Sequence, residues 1–90
     1  MLTHIDSQVC SHDYAAIGSA IEHSMCLVEL AQFSKTHNRS CDPHMAALAR
    51  YADATLAAKK YRLAGCVAWA TLQEAKAERI YRTIDAAYRW

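Results

Sequence analysis

One stretch constrains this chain more than any other. After Asp42-Pro43, the sequence runs to Trp90 with a single glycine, Gly65, no further proline and no cluster of turn-forming residues. Such a stretch cannot make the repeated reversals of a β-fold, so it must be helical. Asp42 suits the N-cap, because its carboxylate accepts from the free amides of a first turn and meets the positive end of the helix dipole. Pro43 suits the first helical position, where its missing N–H is not needed. Unbroken, residues 43–90 would form a rod roughly 70 Å long at 1.5 Å per residue. A preceding helix would cover little more than half of it. A break near Gly65 instead gives three helices of comparable length with no overhang. Helices of 70 Å are unusual in small domains, which favours the break. The expected fold is all-α, a small antiparallel bundle of two or three helices, with residues 1–90 forming one domain.

Upstream, a first helix is expected to start between residues 4 and 12, with Thr3-x-x-Asp6 as a capping box and Ser7 and Ser11 as rival caps. Tyr14, Ile17, Ile21, Val28 and Ala31 recur at helical spacing, and Ala20, Leu27, Leu30 and Phe33 widen the stripe. Glu22, Glu29 and Gln32 mark the wet side. Gly18 inside this helix costs about 1 kcal/mol relative to Ala, and close approach of another helix is one reason to keep it. Ser34–Asp42 is polar and reads as the connecting loop. Within residues 43–90, Met45, Leu48, Ala49, Ala52 and Leu56 form one buried line that Leu63 can extend, and Ala47, Tyr51, Ala54, Ala58 and Tyr61 form a second line on another face, its two tyrosines either edging the core or facing a partner. Cys66, Ala70, Ala77, Ile80, Ile84 and Ala87 form a third, with Val67, Trp69 and Leu72 adding bulk. Glu78–Arg82 and Asp85–Arg89 are i,i+4 pairs that favour helix to the end.

Composition narrows the chemistry. The apolar fraction is 53%, but much of it is alanine, which favours helix and lets helices approach closely. The formal charge is +1. Residues 1–42 hold two cations against five anions, a net of −3, whereas residues 43–90 hold eight against four, a net of +4. An acidic helix packing beside a basic one accounts for that division, and a basic face for an acidic partner is the sharper reading. No apolar run approaches membrane-spanning length, and the start of the chain has neither a basic nor an apolar leader region. A cytoplasmic setting is expected, with the four cysteines as free thiols.

Few residues suggest chemistry. His23-x-x-Cys26 and Cys41-x-x-His44 have the arithmetic of two zinc-ligand pairs, but His23 and Cys26 lie at least ~12 Å along the helix from residue 34. Cys10-x-His12 is a weaker pairing. Cys41, just before a helix start, is the one cysteine placed for thiolate activation, and no partner base can be named for it. The two glycines cannot make a phosphate loop. Lys59, Lys60 and Arg62 form a small basic cluster, the basis of a nucleic-acid alternative, but the apolar segment after Gly65 is a poor recognition helix.

Protein binding fits best. Tyr, Trp and Arg supply large area and directed polar groups at interfaces, and the last residues carry Tyr81, Arg82, Tyr88, Arg89 and Trp90. The expectation is a non-enzymatic module without a cofactor that binds another protein through these residues. It would act as an adaptor, inhibitor or small subunit by occluding a surface, in the manner of a bacterial or phage accessory protein. Homodimerisation through alanine-rich faces is compatible with this. A structural zinc domain using His23, Cys26, Cys41 and His44, and a nucleic-acid binder, are the alternatives.

Overall fold

The computed structural model describes residues 13–90. Among these residues four α-helices pack together: α1 (Tyr14–His23), α2 (Leu27–His37), α3 (Pro43–Leu63) and α4 (Val67–Thr83), followed by a 3₁₀ turn at Ala86–Tyr88. There is no strand among the described residues. The all-α expectation holds. The count of two or three helices does not, because the first expected helix is two. The expected caps at Thr3, Asp6, Ser7 and Ser11, and the Cys10-x-His12 pair, lie outside the described residues.

The break at residues 24–26 has a physical reason. Ile21 and Leu30 are both fully buried. Nine residues apart at 100° each, they would sit on opposite faces of a continuous helix. The chain reverses so that each can face the core. The amides of Ser24 and Met25 both donate to the Ala20 carbonyl, closing α1. Cys26 then turns extended and becomes the N-cap of α2, where the Glu29 carboxylate accepts from its amide at 2.9 Å. That bond is the reciprocal half of a capping box. The reversal also inverts the expected stripe: Val28 and Ala31 face solvent, while Leu30 is buried and Phe33 packs against the core. α2 runs to His37, so the loop is shorter than the expected Ser34–Asp42.

α3 is the central element. α1 lies parallel to it, and α2 and α4 run antiparallel along other sides, so both expected lines of α3 are buried as far as Ala58 except for Leu56, which is partly buried. Ala47, Ala49, Ala52, Ala54 and Ala58 leave room for three neighbours at once, and Leu48 fills the middle. Each fully buried Ile or Leu contributes about 1.5–3 kcal/mol. Asp42 caps α3 as expected, accepting from the amides of His44 at 2.9 Å and Met45 at 3.4 Å. Its second oxygen accepts from the Tyr14 hydroxyl, which ties the start of α1 to the start of α3.

Gly65 does end a helix. With φ at +81° it is the left-handed residue of a Schellman turn: Cys66 N–H donates to Tyr61 O at 2.8 Å and Gly65 N–H to Arg62 O at 3.0 Å. Cys66 is at once the N-cap of α4, although its side chain makes no capping bond. At the other end α4 stops at Thr83 rather than running to residue 90. Ile84 turns extended and buries its side chain. The expected Asp85–Arg89 helical pair does not form. Asp85 instead caps the 3₁₀ turn through the Ala87 amide, and the Arg89 guanidinium donates to the carbonyls of Ile84 at 2.9 Å and Arg82 at 2.8 Å.

Candidate functional site

The five residues expected to bind a partner divide into two groups. Tyr81, Tyr88 and Trp90 fold back against the core. The Trp90 indole stands edge-on to Tyr51 and Tyr81, with ring centroids 5.0 and 4.7 Å apart, and its Nε1–H donates to Glu22 at 2.7 Å. The Tyr81 hydroxyl donates to the Trp90 carbonyl at 2.6 Å. Tyr88 sits edge-on to Tyr14 and His44, 4.9 and 4.6 Å away. Residues 84–90 thus act as a clasp that holds α1 on α3 and α4. Gly18 seats it: a Cβ there would meet Trp90 Cε3 at 2.1 Å. Its close approach is to an indole ring, not to another helix. Arg82 and Arg89 are exposed. Arg82 pairs with Glu78 at 3.1 Å, and Arg89 lies over the Tyr81 ring at 5.7 Å.

The four residues of the zinc alternative are not brought together. His23 and Cys26 flank the α1–α2 reversal, near the end of α3, whereas Cys41 and His44 flank its start, and α3 is roughly 30 Å long. No group of three or more His, Cys, Asp or Glu among the described residues is placed to share a metal ion. No described helix is long and apolar enough to cross a membrane.

Large apolar side chains face solvent at the opposite end from the clasped Tyr14–Asp42 corner. Every residue from Lys60 to Trp69 is exposed. Leu63 is 77% exposed, Val28 68%, Trp69 58% and Leu72 57%, with Val67 and Tyr61 beside them. The expectation that Val67, Trp69 and Leu72 would add bulk to the core is therefore corrected: in α4 the buried positions are Ala70 and Ala77. Ile80 and Tyr81 reach the core near the end of α4, but toward its start only Ala70 fits against α3, so the bulky residues there point away. Nor does a break at Gly65 remove the overhang, because α1 and α2 are shorter than α3.

Two features build this end. An open cleft of about 490 Å³ is lined by Met25, Cys26, Leu27, Lys59, Arg62 and Leu63, between the α1–α2 reversal and the last turns of α3. Across the hairpin, Arg62 and Glu74 form a two-bond ion pair at 2.6 and 2.7 Å that fastens α3 to α4. The hydrogen bonds of this pair raise the Arg62 pKa and hold the Glu74 carboxyl below its usual range. The rings of Tyr61 and Trp69 lie 6.2 Å apart on the same hairpin. Sequence reasoning set Val67, Trp69 and Leu72 as bulk on the last stripe and let Leu63 extend the buried line of α3, and so did not gather them at one exposed end. The available signal was the composition of α4, whose Ala70 and Ala77 sit on one face at i,i+7.

No protein-family model, curated protein or solved structure matches this chain.

Proposed function

We propose that this chain is a non-enzymatic protein-binding module whose working surface is the apolar end around Leu63 and Trp69. The carrying observation is the exposure of Val28, Leu63, Val67, Trp69 and Leu72 at one end of a small bundle. Isolated apolar side chains on a surface need no explanation, but a gathering of this size at one end does. The hairpin presenting all of these but Val28, which lies on α2, is fixed by the Gly65 turn and the Arg62–Glu74 pair, so little ordering is required on binding. The mechanism is occlusion: a preformed helical face covers a surface of the target without chemistry. Arg82 and Arg89 border the clasp and are outside this surface.

The test compares the protein with its Leu63→Ser/Trp69→Ser variant. Both side chains are exposed, so the helical circular dichroism and melting temperature should stay close to those of the parent. Affinity capture from cell lysate should lose its stoichiometric partner. Identical capture by parent and variant would refute the assignment of this end as the working surface.

A further inference from the structure

α1 and α4 both pack on α3 but scarcely on each other, which leaves a groove between them. Its floor on α3 is Tyr51, Thr55 and Ala58, and toward Leu63 its walls are of mixed charge, with Lys59, Arg62 and Glu74. Toward the clasp its character changes. A cavity of about 170 Å³ opens there, lined by Glu22 of α1, Tyr51 of α3, Glu78 and Tyr81 of α4, and Trp90. The lining is three aromatic rings and two carboxylates, with no cation. The Trp90 ring stands at 73° to Tyr51 and 82° to Tyr81, so the rings enclose a corner rather than stacking.

Each carboxylate keeps an oxygen to spare. Glu22 Oε1 takes the Trp90 indole N–H and lies 3.2 Å from His23, and Glu78 Oε2 takes Arg82 Nε–H at 3.1 Å; neither second oxygen has a partner among the described residues. His23 and Arg82 are exposed and outside the lining, and exposed pairs of this kind contribute little. Both carboxylates act on the floor: the Tyr51 hydroxyl is pushed up to about 12, chiefly by burial, with Glu22 and Glu78 adding to it. One cation already uses these rings. Arg89 stands over Tyr81 at 5.7 Å, tied to the carbonyls of Ile84 and Arg82, and is not part of the lining.

We infer that this cavity is a binding site for a methylated ammonium group. Aromatic faces attract a cation through the ring quadrupole, and cages of such rings hold quaternary ammonium groups. The rings, rather than charge alone, select this ligand. A bare ammonium is compact and strongly hydrated, and rings replace its water poorly. Methyl groups shed that water and give the rings apolar surface to cover. A divalent metal would find two carboxylates and no third ligand. An anion would meet two carboxylates and no counter-charge. The volume is below the roughly 300–1,000 Å³ of pockets that enclose drug-sized ligands, so the site takes a head group, on a small amine or at the tip of a methylated lysine. It shares no residue with the surface around Leu63 and Trp69, so neither assignment depends on the other.

The test is an NMR titration with choline, read on the Trp90 indole N–H, with the exposed Trp69 indole as internal control. Choline should move the Trp90 signal and leave Trp69 in place, and its own methyl protons should shift upfield, the ring-current mark of aromatic faces. It should bind about fivefold or more tightly than its neutral isostere, in which a tert-butyl group replaces trimethylammonium, the ratio given by roughly 1 kcal/mol of cation–π attraction. Glu22→Gln/Glu78→Gln keeps an acceptor for the indole. It should hold the parent's melting temperature, weaken choline about tenfold and leave the isostere unchanged. A blocked trimethyl-lysine peptide separates the sources: tighter binding than choline supports a modified protein side chain in this site, and binding no tighter supports a free amine. The inference is overturned if choline and the isostere bind equally, if an unmethylated lysine peptide binds as tightly as the trimethylated one, if both indoles respond alike, if the double glutamine variant binds choline as the parent does, or if nothing binds.

Discussion

Gly18→Ala should reverse the sign of its effect when Trp90 is removed. In the parent, the new methyl would lie 2.1 Å from Trp90 Cε3 and 2.2 Å from Cζ3, so the indole must leave its seat. Departure gives up the edge-on contacts with Tyr51 and Tyr81, about 0.5–1.5 kcal/mol each beyond their area. It also gives up the hydrogen bond to Glu22, net about 0.5–1.5 kcal/mol. Against these losses stands the helix propensity gained when Gly becomes Ala, about 1 kcal/mol. The sum is a net destabilisation of about 0.5–3.5 kcal/mol for Gly18→Ala alone. With Trp90→Ala already present, only the propensity gain remains, and the same substitution should stabilise by up to about 1 kcal/mol. Urea denaturation of the four proteins, followed by circular dichroism, measures the cycle. At about 4–8 °C per kcal/mol for a domain this small, thermal melts should show it as well. A second reading comes from the Trp69→Phe background, in which Trp90 emission should shift to the red on Gly18→Ala. The reasoning is refuted if Gly18→Ala has the same sign and size in both backgrounds, since Trp90 would then not be what the glycine accommodates.

The second glycine should answer differently. Gly65→Ala meets no atom within 4 Å, yet its φ of +81° makes any Cβ unfavourable. Stability should fall by about 1–2 kcal/mol in every background, Trp90→Ala included. Alkaline pH should destabilise the fold through two tyrosines. Tyr14 is pushed up to about 12 chiefly by its hydrogen bond to Asp42, and Tyr51 to about 12 chiefly by burial, with Glu22 and Glu78 adding to it. Both are neutral in the fold where an unfolded tyrosine would ionise, so their stabilisation is complete below pH 10 and lost between pH 10 and 12. Asp42 behaves in the opposite sense. Its carboxyl is held below 3.8 chiefly by the Tyr14 hydroxyl, so its contribution is present above that pH and lost on further acidification. Denaturation midpoints across pH 3–12 check both limbs, and Tyr14→Phe should flatten each of them.

The helical class, the Asp42-Pro43 start of α3 and the turn at Gly65 were legible because each rests on local chemistry: a cap, a fixed φ, a left-handed residue. The reversal at residues 24–26 was not, because neither Ser24 nor Cys26 announces it as a glycine or proline would. A signal did exist in the width of the apolar stripe. Ile21 and Leu30 cannot both be core on one straight helix with a single apolar face, and treating Leu27, Leu30 and Phe33 as mere widening concealed a change of direction. The end of α4 was misplaced for a related reason. The Asp85–Arg89 spacing is compatible with a helix, but each side chain finds a better backbone partner once Ile84 turns inward. Local pairing worth a few tenths of a kcal/mol yields to burial of an isoleucine worth several times that.

The two tryptophans show why the candidate site was harder to read than the fold. Both lie in the basic half of the chain, and nothing beside either one declares its fate. Trp90 is drawn in because a glycine seventy-two positions away leaves a flat seat on α1, with a carboxylate beside it to take the indole N–H. Trp69 lies in the first turn of α4, where Ala70 faces α3 and no other described helix covers the outer face. Had α1 continued through residue 33, it would have reached the far end of α3, and the cleft beside Leu63 would have been filled from within. The same reversal that sends Leu30 into the core leaves the Leu63 end open, so the exposed surface is a direct consequence of how the first half of the chain solves its own burial.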